Sequence, residues 1–295
     1  MIKIKVPATT ANMGPGFDAI GMALNLYNEV EIETLNEGVQ IVWDNPELEL
    51  PLEQNMVYTS MMHAFEKYDF KCKGVKIRIK SCNIPLSRGL GSSASSIVAG
   101  IVGANEIMGK VMSYDDIVDM ATELEGHPDN VVPAITGGMV VSIYDGGKVT
   151  YSKIDVPKEI RFAVMIPGFK VSTEKARGVM PESYGKSDCV FNISRVAMLV
   201  NAMNKGELDK LRVCFEDKIH QPYRKNLITG MDEIFEEAKK LGSIGEFISG
   251  SGSTLIAVVK TDNEGFEESM RKYLSEIDGN WEIKMLETDY SGVSI

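Results

Sequence analysis

A loop rich in glycine and serine, placed between a strand pattern and a helix pattern, most constrains the fold of this chain. Residues 85–97 read Pro-Leu-Ser-Arg-Gly-Leu-Gly-Ser-Ser-Ala-Ser-Ser-Ile. Before the loop, residues 75–79 alternate apolar and basic side chains, which is typical of a half-buried strand. After it, apolar residues recur at helical spacing until Gly109. The sequence therefore predicts a strand, a tight turn and a helix in direct succession.

Such a turn exposes unpaired N–H groups and the positive end of a helix dipole, which together bind anions and above all phosphate. Gly89 and Gly91 would let the backbone approach a ligand closely, and Ser92 and Ser93 would add hydroxyl groups. The loop has neither the Gly-Lys-Ser/Thr ending of a Walker A motif nor the third glycine of a dinucleotide-binding turn. By spacing alone, a phosphate site and an ordinary strand-to-helix turn are equally compatible with it.

The composition narrows the class of protein. The chain has 295 residues, of which 44% are hydrophobic and 25% charged, as in a soluble globular protein of one large or two ordinary domains. Its net charge of −11 argues against nucleic acid or an anionic membrane as a partner. The sequence offers no signal peptide, transit peptide, membrane-length apolar run or CxxC motif. We therefore expect a reduced, cytoplasmic protein without a membrane partner.

Periodicity predicts a mixed α+β chain. Strands are predicted at 2–6, 27–33, 75–80, 138–144, 160–166, 254–260 and 281–287. Helices are predicted at 55–67, 93–108, 113–124, 190–218, 231–241 and 264–277. Ser113 is predicted to cap the third helix, and the Asp145-Gly-Gly147 turn predicts a hairpin. The pattern of elements changes near 150–155, which predicts two domains, 1–153 and 154–295.

Further segments concentrate polar and glycine residues. They are Pro7-Ala-Thr-Thr-Ala-Asn-Met-Gly-Pro-Gly-Phe-Asp18, Glu123-Leu-Glu-Gly-His-Pro-Asp-Asn130 and Ile248-Ser-Gly-Ser-Gly-Ser-Thr254. Together with the 85–95 loop, they resemble the GHMP kinase superfamily, and within it the homoserine kinase family. Val171-Ser-Thr-Glu-Lys-Ala-Arg177 and His220-Gln-Pro-Tyr-Arg-Lys225 also resemble segments of that family. The resemblance runs in the family's order from residue 2 to Val293.

The resemblance implies a fold and a reaction. The fold is a two-domain α+β GHMP kinase, with an N-terminal domain like domain 2 of ribosomal protein S5 and a ferredoxin-like C-terminal domain. The reaction is ATP-dependent phosphorylation of the L-homoserine hydroxyl to O-phospho-L-homoserine, on the route to threonine, with ATP and Mg²⁺. The resemblance also suggests a homodimer, which nothing in the sequence itself establishes.

The resemblance assigns roles around a zwitterionic substrate. It implies that Arg177 and Arg224 clamp the α-carboxylate, and that Asp18 and Asp129 meet the ammonium group. The full substrate set is Asn12, Asp18, His127, Asp129, Thr173, Arg177, Arg224 and Gly250, with Asp18, Thr173 and Arg177 as catalytic residues. Without the resemblance, these arginines and aspartates would be assigned to a solvated surface, and His127 would be a neutral structural histidine.

The resemblance also assigns the nucleotide and metal. The ATP set is Asn55, Val57, Pro85, Leu86, Ser87, Arg88, Gly89, Leu90, Gly91, Ser92, Ser93, Ala94 and Ser95. Asn55 and Val57 match the adenine-contacting stretch of the family, although an ordinary helix start explains them nearly as well. Mg²⁺ prefers oxygen ligands, and the candidates are Ser92 or Ser93 with Glu123 or Glu125. We expect Gly91→Val to damage ATP binding, because a β-branched side chain would block the phosphate.

The mechanism expected for this family is direct in-line transfer without a phosphoenzyme, in which Asp18 binds the substrate rather than taking its proton. Two alternatives stay open. One is another small-molecule kinase of the superfamily, acting on mevalonate, a sugar or a methylerythritol intermediate. The other is a nucleotide-binding relative without catalysis. The set of two arginines and two aspartates argues against an uncharged sugar.

Overall fold

The computed structural model describes residues 1–295, apart from the side chain of Leu48. The first half of the chain forms a six-stranded sheet, and its longest strand lies at the centre. The strands are β1 (Ile2–Ala11), β2 (Ile20–Thr34), β3 (Gly38–Trp43), β4 (Gly74–Cys82), β5 (Met139–Asp145) and β6 (Lys148–Ile154). The order is β3-β4-β2-β5-β6, and β1 also pairs with β2. β3 runs parallel to β4, and the other pairs are antiparallel.

Four helices pack on this sheet. They are α1 (Met56–Lys67), α2 (Ser92–Ile107), α3 (Tyr114–Glu125) and α4 (Pro128–Thr136). Their apolar faces form one core with Ile4, Ile32 and Ile77 of the sheet. α2 is buried along most of its length, because small residues such as Gly100 and Gly103 let it lie against α1 and β2.

The second half forms a four-stranded antiparallel sheet. Its strands are β7 (Ile160–Ile166), β8 (Gly245–Ile248), β9 (Leu255–Lys260) and β10 (Glu282–Leu286), in the order β10-β7-β9-β8. Its helices are α5 (Thr173–Gly178), α6 (Lys186–Lys205), α7 (Leu211–Cys214), α8 (Gln221–Arg224), α9 (Met231–Lys240) and α10 (Phe266–Ser275). Short 3-10 turns lie at Pro46–Leu48, Leu52–Gln54, Leu208–Lys210 and Lys225–Leu227.

The strand period of two divides the core of the second half. In β7, Ala163 and Met165 face α9 and α10, whereas Phe162 and Val164 face the other way. The second face meets buried residues of β1 and β2, among them Met22, in one apolar cluster. The two sheets therefore share a core across the β6–β7 connection. The division at residue 153 falls at the end of β6 and stays a prediction.

Most elements that the sequence predicts are confirmed, including the α+β class, but several bounds and short elements differ. The predicted helix over 190–218 is wrong in its bounds. α6 begins at Lys186 and ends at Lys205, and Gly206 caps it in the left-handed conformation with φ of 67°. β1 continues to Ala11, beyond the end at residue 6 that the sequence predicts. In the described part of the chain, each helix is too short or too polar to cross a bilayer.

Candidate active site

A cavity of about 290 Å³ brings together nearly all the predicted site residues. It lies where loop 85–91, the first turns of α1 and α2, and the end of α3 meet residues from the second half. Of the predicted residues, two do not line it: Ala94, which is buried within α2, and Glu123. Substrate and nucleotide candidates thus face one continuous space.

The turn that precedes α2 is fixed from both sides. The carbonyl of Leu90 accepts a hydrogen bond from the Thr9 amide at 3.1 Å, and the carbonyl of Gly89 accepts one from Ser249 Oγ at 2.6 Å. Gly91 then caps α2 in the left-handed conformation, with φ of 69°. The helix N-terminus is therefore held rigidly at the wall of the cavity.

The first turn of α2 is a candidate anion site at the wall of the cavity. Among the described residues, no acceptor pairs with the first three amide N–H groups, those of Ser92, Ser93 and Ala94. The N-cap is a glycine and supplies no side chain, so these donors and the dipole of a 16-residue helix face the cavity. A phosphate group would satisfy them.

Gly91 matters for a reason other than the expected one. A Cβ atom at Gly91 would lie 1.9 Å from Thr9 Oγ1, inside the protein, and its φ is positive. A side chain there would therefore disrupt the contact between the turn and β1 first. The expectation that Gly91→Val acts by blocking the phosphate is corrected to a packing effect.

The structure separates the two carboxylate candidates for magnesium. Ser93 Oγ donates to Glu125 Oε2 at 2.7 Å in the cavity wall, and burial raises the pKa of Glu125. Glu123 is instead paired with Lys67 at 2.8 Å on the exposed surface, so its assignment as a metal ligand is corrected. The reason is helical geometry: residues two apart on α3 point about 200° apart. The hydroxyl and carboxylate of the first pair are hard oxygen donors that fit Mg²⁺.

Asn55 serves both explanations that the sequence left open. Its Oδ1 accepts from the amides of Val57 and Tyr58 at 3.1 Å and caps α1, as an ordinary helix start requires. Its Nδ2 is buried at the cavity without an acceptor among the described residues. Sequence analysis missed Trp43 and Ser81, which line the same region. Trp43 Nε1 and Ser81 Oγ are also buried without a hydrogen-bond partner among the described residues. A polar ligand at this end would satisfy all three.

At the opposite end, Asp18 and Arg177 form a two-pronged ion pair. Arg177 donates to the two carboxylate oxygens at 2.8 and 3.0 Å, which raises the pKa of the arginine. Asp18 itself has φ of 54°, and Asn12 Oδ1 accepts from its amide at 3.0 Å. Asn12 Nδ2 also donates to the Gly250 carbonyl at 2.8 Å, so this turn is tied to the second half of the chain.

His127 and Asp129 form a second acid–base pair, beside Asp18. His127 Nδ1 lies 2.5 Å from an oxygen of Asp129, which is buried in the first turn of α4. Burial opposes protonation of His127, but the hydrogen bond and charge of Asp129 outweigh it, so the pKa of the imidazole is raised. One ligand atom from each of the three side chains lies within 4.8 Å of the others.

Arg224 differs from Arg177 in having no carboxylate partner. It is 2% exposed, and its Nε and Nη1 donate to the carbonyls of Ala176 and Gly250 at 3.1 and 3.0 Å. Among the described residues, no carboxylate oxygen lies within 4.0 Å of its guanidinium nitrogens. Burial and the charge of Arg177 lower its pKa to about 10, so it stays charged at neutral pH. An unpaired buried cation beside a cavity is a receptor for an anion.

Comparison with known proteins places the chain in a family. Residues 55–138 match the GHMP kinases N terminal domain, and residues 198–276 match the GHMP kinases C terminal family. The crystal structure of homoserine kinase from Cytophaga hutchinsonii has a TM-score of 0.89 at 29% identity, over 99% of this chain and 96% of that one. The fold is thus that of a GHMP kinase, and the predicted two-domain GHMP kinase fold is confirmed.

The sequence comparison is more specific. A homoserine kinase of Clostridium novyi (strain NT) is 52% identical over 295 residues, which cover 100% of this chain and 99% of the relative. One of Clostridium kluyveri (strain ATCC 8527) is 54% identical over 294 residues, covering 100% and 98%. The chain belongs to the homoserine kinase family.

Proposed function

We propose that this protein phosphorylates the side-chain hydroxyl of L-homoserine with ATP, giving O-phospho-L-homoserine and ADP. The observation that carries the proposal is the buried Arg224, which has a charge but no carboxylate partner, in the same cavity as the free N–H groups of α2. One end of the cavity suits a carboxylate, and the other suits phosphates. The full-length similarity to homoserine kinases agrees with this pairing of ligands.

The triphosphate would lie at the first turn of α2, with the adenine near Asn55. Its phosphates accept from the amides that have no partner, and Asn55 Nδ2 provides a donor for the base. Ser93 and Glu125 would hold Mg²⁺, which when bound neutralises charge on the phosphates. Glu125 can bind the metal only when its carboxyl group is deprotonated. Because burial raises its pKa, magnesium binding weakens on the acid side at a higher pH than for an exposed glutamate.

The amino acid would lie at the other end. Its carboxylate accepts from Arg224, and its ammonium group lies beside Asp129 and Asp18. Thr173, whose Oγ1 is 3.4 Å from Ser251 Oγ, would orient the hydroxyl. Arg177, which the resemblance assigned to the carboxylate clamp, is paired with Asp18, and we propose instead that it neutralises charge on the transferred phosphoryl group.

The transfer proceeds directly in line. The homoserine hydroxyl oxygen forms the new bond to the γ-phosphorus while the bond to the bridging oxygen of ADP breaks. Asp18 is a poor base, since both its oxygens accept from Arg177. The hydroxyl proton therefore passes to the transferred phosphoryl group, and alignment with charge neutralisation provides the rate. A labelled protein that precedes product in a burst experiment would contradict this mechanism.

A coupled ADP-release assay with homoserine, mevalonate and galactose tests the substrate. We expect turnover with homoserine alone, because only this compound has a carboxylate and an ammonium group near its hydroxyl. Turnover with mevalonate instead would favour the other GHMP kinase, and ATP binding without any turnover would favour an inactive relative.

A second experiment tests the metal ligands. Glu125→Gln is expected to raise the magnesium concentration for half-maximal activity by about tenfold or more, because the neutral amide is a weaker ligand. Glu123→Gln, only two residues away, provides the matched control and should change nothing. Equal effects in both variants would contradict the assignment to Glu125.

We also propose that the enzyme works in the cytoplasm as a homodimer, in threonine biosynthesis and with no nucleic acid or membrane partner. The four free cysteines and the net charge of −11 support the compartment and the partners. Light scattering coupled to gel filtration measures the mass directly, and a monomer at working concentration would refute the dimer.

A further inference from the structure

His220 is a buried imidazole that the proposed reaction does not use. It has no exposed surface, and it precedes α8, one helical turn before Arg224. Its Nε2 lies 2.8 Å from the Gly14 carbonyl oxygen, and its Nδ1 lies 3.3 Å from Arg224 Nη1. A carbonyl oxygen can only accept, so Nε2 carries the proton. In the neutral ring, Nδ1 is then an acceptor for the guanidinium.

The surroundings keep the ring neutral. Burial lowers the pKa of His220, and the positive charge of Arg224 lowers it further. The carboxylate of Asp217, 3.6 Å from Nε2, acts in the opposite direction without outweighing them. Asp217 is engaged elsewhere, since its oxygens accept from the amides of Ile219, His220 and Gln221. A second proton would place an N–H at Nδ1 against the N–H of Arg224, with two positive charges in contact.

The contacts of Arg224 can be assigned one by one. A guanidinium has five N–H groups. Nε donates to the Ala176 carbonyl, and the two N–H groups of Nη1 serve the Gly250 carbonyl and His220 Nδ1. Among the described residues, Nη2 has no acceptor, so both its N–H groups remain for a ligand. The imidazole occupies the third acceptor position and thereby fixes the rotation of the guanidinium plane.

The same ring contacts the turn on which Asp18 lies. Gly14 belongs to that turn, and Phe17 packs against the imidazole with ring centroids 5.5 Å apart. The guanidinium carbons of Arg177 and Arg224 lie 5.4 and 5.2 Å from the Phe17 ring. His220 therefore links the carboxylate receptor to the turn that carries Asp18, across the two halves of the chain.

We propose that His220, as the neutral Nε2–H tautomer, is a positioning residue that aims Arg224 Nη2 at the substrate carboxylate. This inference rests on the proposed function, because it assigns a task within the homoserine site. His220 does not touch the substrate, and its effect passes through Arg224 alone.

Two substitutions divide the ring's hydrogen bonds. His220→Gln keeps a donor near the Nε2 position but has no acceptor near Nδ1, whereas His220→Asn keeps an acceptor near Nδ1. We expect His220→Gln to raise the KM for homoserine about tenfold to a hundredfold, the usual effect of a lost hydrogen bond to a charged group, with a smaller effect on kcat. His220→Asn should recover most of the affinity, and the KM for ATP should change by less than about twofold in both.

Two controls separate a specific effect on the orientation of Arg224 from a general disturbance of the structure around His220. Tyr184→Phe removes a 2.9 Å hydrogen bond to the Ile219 carbonyl, next to His220, and should leave the KM for homoserine unchanged. 3-Amino-1-propanol, which has no carboxylate, should bind wild type and His220→Gln equally. If Tyr184→Phe raises KM as much, or the amino alcohol is equally affected, the proposal is wrong.

The tautomer can be measured without any substitution. The ¹⁵N chemical shifts of the wild-type imidazole should show Nε2 protonated and Nδ1 bare, and a protonated Nδ1 would overturn the proposal even if the variants failed to fold. Absence of homoserine turnover in the wild type would refute the proposed function itself. Normal wild-type turnover with an unchanged KM in His220→Gln would refute only this inference.

Discussion

Replacing Arg224 with methionine should nearly abolish homoserine binding and yet destabilise the ligand-free protein less than the loss of a buried ion pair would. Burial and Arg177 lower the pKa of Arg224 from 12.5 to about 10. At 1.36 kcal/mol per pKa unit, keeping the charge in the folded state costs about 3 kcal/mol. The substitution removes that cost, but it leaves the carbonyls of Ala176 and Gly250 without a donor, at about 1–3 kcal/mol each. These effects partly cancel, so we expect the free energy of unfolding to lie between about 1 kcal/mol above and about 3 kcal/mol below the wild-type value.

The effect on binding has no such compensation. The carboxylate of homoserine would lose its charged partner within the cavity, which costs about 2–5 kcal/mol. The KM for homoserine should thus rise roughly 30-fold to 5,000-fold, with little change in the KM for ATP. Arg224→Lys keeps the charge without the planar fork of the guanidinium, so its KM for homoserine should lie between those of the wild type and Arg224→Met.

Urea unfolding of the ligand-free protein near neutral pH and steady-state kinetics provide the two measurements. Neutral pH is appropriate, because a lowered pKa makes stability rise with pH only from about 10 upward, where the folded state loses its proton before the unfolded state does. Breaking a buried ion pair typically costs about 3–5 kcal/mol. If Arg224→Met lost that much stability and kept its KM, Arg224 would be a structural cation and the reasoning would be refuted.

Two further predictions concern stability. Gly91→Ala should lower the free energy of unfolding by at least about 1 kcal/mol more than Gly109→Ala in chemical denaturation, because both glycines have positive φ but only the first Cβ would meet a side chain, that of Thr9. Equal losses would contradict the packing argument. His127 has a raised pKa, so its pairing with Asp129 stabilises the fold fully below the ordinary value of 6.5, and this contribution is lost as pH rises through the raised value. Unfolding measured from about pH 5 to about pH 9 should show this decline in wild type and not in His127→Gln, and identical profiles would count against the pairing.

Segments with a clear apolar period or a continuous apolar run were predictable from the sequence, and segments without one were not. α1, α9 and β7 lie within a residue or two of their predicted bounds, because each has a full apolar face or a continuous apolar run. All nine residues of α4 are buried, so its sequence lacks the alternation of a polar and an apolar face from which a helix is predicted. Its start was nonetheless readable, since Gly126 ends α3 in the left-handed conformation and Pro128 occupies the first turn of the next helix.

The site was predictable to different depths at its two ends. Helical geometry alone could have decided between Glu123 and Glu125 as the residue that faces the cavity. Ala121 faces the core, and Glu125 lies one turn further on the same side of α3. The roles of the arginines were not, since the pairing of Arg177 with Asp18 joins residues 159 apart in the chain. Trp43 was beyond reach for the same reason.

The glycines of the 85–91 turn act by a mechanism different from the one their spacing suggests. A Cβ at Gly89 would lie 2.1 Å from the Ser249 carbonyl, and one at Gly91 would meet Thr9, so both glycines make room for protein rather than for ligand. Their absence of side chains lets the turn sit between β1 and the 249–254 segment. That position in turn presents the unpaired N–H groups of α2 to the cavity. The proposed phosphate site is therefore a property of the helix end, and the glycine pattern is informative because it allows two segments from opposite halves of the chain to hold that end in place.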